Sequence, residues 1–175
     1  MKRRLAAVAV AMLIAWGLKR HYAEARAEDL AWILGPTSRL AGAIAGTTFE
    51  PQLGEGYLSR EHLFVIAKAC AGVNFMVAAF GMMVWALLHH IGSLASAAWV
   101  LVVSLLASYG ATVLVNAARI VAALWLAAHP IGLSVFSAGE VHRLEGIAVY
   151  FGGLVLLYEL VQQFDRRTVP VRRIS

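Results

Sequence analysis

Residues 69–118 read ACAGVNFMVAAFGMMVWALLHHIGSLASAAWVLVVSLLASYGATVLVNAA, and not one of them is Asp, Glu, Lys or Arg. A membrane-spanning helix needs about 20 predominantly apolar residues, so this stretch alone holds two spans and the turn between them. A second charge-free stretch runs from Arg119 to Glu140. Across the 175 residues, 61% are hydrophobic and only 14% are Asp, Glu, Lys or Arg. Soluble domains carry about 25% charged residues, so this chain lacks the polar surface to remain in water. The pattern predicts an all-α, polytopic membrane helix bundle with about 4–6 membrane helices, one of them interfacial or re-entrant.

The net charge of +5 and a pI near 9.8 do not point to nucleic acid. The basic residues concentrate at the two ends: Lys2, Arg3 and Arg4 open the chain, and Arg166, Arg167, Arg172 and Arg173 close it. Lys/Arg clusters flanking spans mark the cytoplasmic side. Both termini are therefore expected in the cytoplasm, across the inner membrane of a cell, with the lipid bilayer as the surroundings. The single cysteine, Cys70, has no internal disulfide partner.

A pass along the chain gives one membrane-embedded domain over residues 1–175. Residues 1–18 form a first span or a signal-like segment, since Ala23-Glu24-Ala25 resembles a cleavage site. Residues 19–62 form an outer-face segment. Within it, 30–46 carries Gly35-Pro36 and Arg39, which argue against a clean crossing, and 47–60 is a loop or short hairpin. Residues 63–165 form the helical core. Its first span is expected from Leu63 to Leu88, with Lys68, Cys70 and Asn74 in its first third. Leu94–Ala128 would be about 52 Å of helix at 1.5 Å per residue. It is expected to break near Gly110 or to run past the membrane surface near Asn116–Arg119, ending at Pro130 and Gly132. Ser134–Arg143 is a polar connector, Leu144–Val161 the last span, and 166–175 a basic cytoplasmic tail. Counting crossings brings Cys70, Arg119 and His142 to the same, outer, side.

Those three residues stand out chemically. A thiol becomes a useful nucleophile beside a base or a cation, and a histidine can serve. Arginine stays protonated, so it cannot be the base, but its fork of donors suits a developing oxyanion. Together they would perform acyl transfer. Each has a plainer reading. A lone cysteine in a membrane helix ordinarily packs, Arg119 can snorkel to headgroups, and His142 can be a surface histidine at a helix start. Asn74, four residues after Cys70, and Asn116, three before Arg119, would share helix faces with their partners, as a hydrogen-bonded site or as ordinary interhelical packing. Glu145, three after His142, could orient the imidazole, pair with Arg143 or face the headgroups. His89-His90 would point different ways on a helix, and with one cysteine and no HExxH spacing a zinc site lacks ligands. No glycine-rich phosphate loop occurs, and no cofactor or metal is expected.

The Ala-Cys-Ala-Gly segment at 69–72, Asn-x-x-Arg at 116–119 and His142 before the final span resemble, in order, the cysteine, arginine and histidine motifs of exosortases and archaeosortases. The resemblance covers about residues 55–165. Typical members are longer, with about eight spans, and this chain looks like the short exosortase K branch. The resemblance implies a membrane cysteine protease or transpeptidase that cleaves exported, membrane-anchored proteins at a C-terminal sorting signal through a thioester. Cys70 would be the nucleophile, His142 the acid/base and Arg119 the transition-state stabiliser. The rival readings are a small membrane scaffold or accessory subunit, and an anion carrier using Arg119.

Overall fold

A computed structural model of the chain describes residues 1–129 and 138–168, with the side chains of 1–129 and 143–166. Five helices dominate: α1 (Lys2–Glu24), α2 (Ala31–Ala45), α3 (Val73–Ala86), α4 (Leu94–Ala128) and α5 (Ala138–Thr168). Between α2 and α3 lies a small antiparallel sheet in the order β1 (Glu50–Gln52), β2 (Gly56–Ser59), β3 (Phe64–Ile66). Three segments are helical, long enough and apolar enough to cross a membrane: Lys68–Ala86, Leu94–Ala128 and Arg143–Arg166, with mean hydropathies of 1.7, 2.0 and 1.7.

Helix α4 is the axis of the bundle and packs against the other four helices. Its inward line is Val100, Ser104, Ser108, Thr112, Asn116 and Ile120, each fully or nearly fully buried. These residues recur every fourth position, which keeps them on one face. Lipid is as apolar as leucine, so helices in a bilayer associate through close packing, and small residues permit it. Ser108 and Thr112 return their hydroxyls to the carbonyls of Leu105 and Ser108 at 2.9 and 2.6 Å, which satisfies them inside their own helix. The opposite face presents Val102, Leu106, Leu114 and Trp125 outward, and α5 presents Ile147, Phe151, Leu156 and Phe164. A contiguous apolar exterior of this kind marks a lipid-facing surface.

The expected break near Gly110 is absent, and α4 runs unbroken for 35 residues. It takes the other alternative and continues beyond the hydrocarbon core. Its exposed tryptophans, Trp99 and Trp125, lie about 39 Å apart along the axis at 1.5 Å per residue. That separation suits the two interfaces of a bilayer about 40–45 Å thick including headgroups.

Helix α2 forms in spite of Pro36. Proline has no N–H to offer the carbonyl four residues earlier, here that of Trp32. The Tyr109 hydroxyl of α4 donates to that carbonyl at 2.8 Å, and the two rings stack 5.9 Å apart. At 15 residues, about 22 Å, α2 is short for a crossing. The segment expected as a loop or hairpin is a three-stranded meander reaching Ile66. It is fastened to the end of α2 by the Thr47 hydroxyl, 3.0 Å from both the Ser59 hydroxyl and a Glu61 carboxylate oxygen. Glu28 binds the Gly54 N–H in the β1–β2 turn. Its own backbone N–H and that of Gly54 hold its carboxyl below the usual range.

Helix α1 lies antiparallel along α3. Arg3 and Arg4 near its amino end donate to the carbonyls of Gly92 and His89 at 2.5 and 3.2 Å. At its other end Lys19 donates to Asn74 at 2.5 Å, and Lys68 donates to the carbonyl of Ala25 at 2.7 Å. The helix extends through Glu24, beyond the 1–18 expected of a first span. The last helix is also longer than Leu144–Val161, since Ala138–Arg143, expected as connector, is already helical. Expectations for 130–137 and for the tail at 169–175 lie outside the described residues.

Candidate functional site

The span expected to begin at Leu63 is corrected in a way that matters for Cys70. Phe64–Ile66 is strand, Lys68–Ala71 is a single 3₁₀ turn, and the α-helix starts only at Val73. Cys70 therefore sits on a turn between sheet and helix, half-buried, with its N–H bonded to the Ala67 carbonyl at 2.8 Å. Gly72 makes this geometry possible. It adopts φ +69°, a left-handed conformation that side chains disfavour, and a Cβ there would meet Thr112 Cγ2 at 3.0 Å. The missing side chain lets the cysteine turn press directly on α4.

Asn116 receives that turn. Its amide nitrogen donates to the Cys70 carbonyl, and its oxygen accepts from the Tyr150 hydroxyl at 2.8 Å. Arg119, one turn further along α4, donates to the same hydroxyl at 3.1 Å, with its guanidinium 5.2 Å from the centre of the Tyr150 ring. The tyrosine ring also packs on Phe75 of α3, 5.4 Å between centroids. Arg119 can lie across α5 because residue 146 is glycine: a Cβ would stand 2.9 Å from the Arg119 Nε. Gly153, two turns on, makes the same allowance for Val115.

Cysteine, arginine and both supporting polar residues on α4 and α5 are thus assembled from segments distant in sequence. The arrangement supplies a thiol on a turn bound by Asn116, and a cationic fork of donors tied to the same asparagine through the Tyr150 hydroxyl. That is suited to holding negative charge that develops next to a sulfur nucleophile.

Of the residues singled out in the sequence, Asn116 joins the site as its central clamp. Asn74 does not share a helix face with Cys70, because the 3₁₀ turn and Gly72 separate them; its side chain is exposed and accepts from Lys19 instead. Glu145 has both carboxylate oxygens buried and lies within electrostatic reach of Arg119. His142 belongs to α5, one turn before Gly146, and its side chain lies outside the described residues. Tyr150, Gly72 and Gly146 were missed. The sequence did carry a signal for two of them: Gly146, Tyr150 and Gly153 repeat at helical spacing, a small–large–small stripe.

The opposite end of the bundle overturns a second expectation. His89 and His90 do not diverge, because they occupy a 3₁₀ turn, Leu88–His90, and not an α-helix. Their rings lie 4.1 Å apart, and both Nε2 atoms meet one Asp165 oxygen, at 3.1 and 2.6 Å.

No family model, no curated protein and no solved structure matches this chain.

Proposed function

We propose that the chain is a membrane-embedded cysteine protease or transpeptidase of the exosortase type, acting on membrane-anchored proteins at a C-terminal sorting signal. The observation that carries this reading is the Asn116 clamp. One side chain holds the Cys70 turn and, through Tyr150, the guanidinium of Arg119. A cysteine that merely packs does not require its turn to be linked, through Asn116 and Tyr150, to an arginine in an apolar bundle, where charge is costly.

In the proposed reaction His142 takes the Cys70 thiol proton, the sulfur attacks the scissile carbonyl carbon, and the carbonyl electrons move onto oxygen. Arg119, steadied by Tyr150 and Asn116, holds that oxyanion. Collapse breaks the C–N bond, and the leaving amine takes a proton from His142, which leaves a thioester on Cys70. An amine or water, deprotonated by His142, then attacks the thioester carbonyl and releases the sulfur. No cofactor enters this scheme.

The proposed topology has both termini in the cytoplasm and α1, α3, α4 and α5 as four crossings of the cell membrane. Helix α2 and the meander then cover the outer face around Cys70. This ordering keeps Lys2, Arg3, Arg4 and the basic tail inside, as the charge rule favours. It also retains α1, whose two ends are bonded to the two ends of α3.

The test is covalent trapping. A candidate substrate bearing a short motif, a transmembrane helix and a basic tail is presented to the membrane-inserted protein, and the acyl adduct is located by mass spectrometry. An adduct on Cys70, lost in Cys70→Ala, is the expected outcome. Processing that persists in Cys70→Ala at normal protein levels would favour the scaffold reading instead.

A further inference from the structure

We propose that His89, His90 and Asp165 bind one divalent transition-metal ion, of the zinc class, at the end of the bundle opposite Cys70. Imidazole and carboxylate are the ligand types such ions take. The three candidate ligand atoms lie within 4.8 Å of one another. Ligands about 2.0–2.1 Å from a tetrahedral zinc stand roughly 3.3 Å apart, so little movement separates this cluster from a coordination set.

The surroundings of His89 fit the same role. Its Nδ1 lies 3.0 Å from the Ala86 carbonyl and its Nε2 3.1 Å from the Asp165 oxygen. A carbonyl bonded to the far nitrogen is also the usual outer support of a metal-bound histidine. His90 brings its own Nε2 to the same oxygen at 2.6 Å, so two imidazoles and one carboxylate converge on one point.

The elements hold the ligands independently of any ion. The 3₁₀ turn after α3 places the two rings; its His89 carbonyl and the Gly92 carbonyl just beyond it accept from Arg4 and Arg3 of α1. Helix α5 supplies the carboxylate. His90 and Asp165 also line a groove of about 600 Å³ beside Trp99 and Phe164, and the two rings are part-exposed, so a water or small ligand has access to a remaining coordination position. The ion would tie the α3–α4 turn to the end of α5.

The full chain in detergent micelles, titrated with CoCl₂, should bind one equivalent with visible d–d bands. Zn²⁺ should displace it and Mg²⁺ should not, because magnesium prefers all-oxygen, octahedral surroundings. His89→Ala/His90→Ala should lose the bands. Asp165→Asn should weaken binding by more than the roughly 10–100-fold that loss of an outer partner costs. Cys70→Ala should bind as the unaltered chain does, which separates this site from a thiolate site and from the proposed reaction. Absence of saturable Co²⁺ and Zn²⁺ binding, or unchanged binding in the double variant, overturns the proposal. If the variants fail to accumulate, ¹⁵N-histidine spectra of the unaltered chain decide: Zn²⁺ should shift two Nε2 resonances, and an imidazolium pattern indifferent to Zn²⁺ rejects the site.

Discussion

The two ends of the bundle solve the same problem, polar groups in an apolar protein, by opposite means. At the Cys70 end, Asn116 is fully buried and both its side-chain polar atoms meet partners from other segments, the Cys70 carbonyl and the Tyr150 hydroxyl, which also accepts from Arg119. At the other end His89 and His90 stay part-exposed and gather around one carboxylate oxygen. Buried polar groups are costly unless bonded, and once bonded they fix a unique arrangement. Exposed groups remain solvated and keep a face open to an incoming ligand. The first end is therefore fixed in geometry, and the second keeps its imidazoles and carboxylate open to solvent.

The sharpest way to break this contrast is at Cys70. Cys70→Ala and His142→Ala should each drop processing to background while membrane levels stay normal, since a buried thiol-to-methyl change removes little volume. Arg119→Lys comes next. A point-like ammonium does not reproduce the guanidinium fork, and loss of one oxyanion donor typically costs on the order of 10²–10³ in rate. Turnover by the lysine variant equal to that of the unaltered chain would mean that Arg119 only snorkels.

Smaller effects test the scaffold beneath the fixed end. Gly146→Ala forces the Arg119 side chain off α5, and overpacking of this kind costs about 1–3 kcal/mol. Thermal melts in detergent together with processing rates should show both falling. Tyr109→Phe leaves the Trp32 carbonyl without its donor, at a cost of about 0.5–1.5 kcal/mol for an exposed hydrogen bond. Its melting temperature should fall with little change in the rate per folded molecule. Tyr150→Phe, which keeps the ring and removes only the hydroxyl, should cost about tenfold or less in processing. The smallest effect belongs to the far end: His89→Gln should leave processing unchanged within error. A large loss there would mean that the two ends are coupled through α3 and α5, and the contrast would need redrawing.

Much of this was legible residue by residue. The charge-free run from 69 to 118 pointed to membrane helices, and the isolation of Arg119 between that run and the next made it a candidate functional charge. Asn116 was singled out by its spacing from Arg119 and became the clamp. What misled was the assumption that apolarity means uninterrupted helix. Hydropathy is blind to the difference between Phe64–Ile66 as strand and the same residues as a helix start, because three apolar residues carry no resolvable period. The same assumption put His89 and His90 on diverging faces, where a 3₁₀ turn stacks them.

By itself, then, the sequence determined the apolar surroundings and the helical class, because these follow from composition and from spacing along one element. Tertiary structure alone decided which of them meet. Tyr150 reaches Asn116 and Arg119, and Tyr109 reaches the carbonyl that Pro36 leaves open, only because α4 lies against α5 and α2 at distances set by small residues. Contacts between elements depend on how closely two backbones approach, and no single helix's sequence fixes that distance.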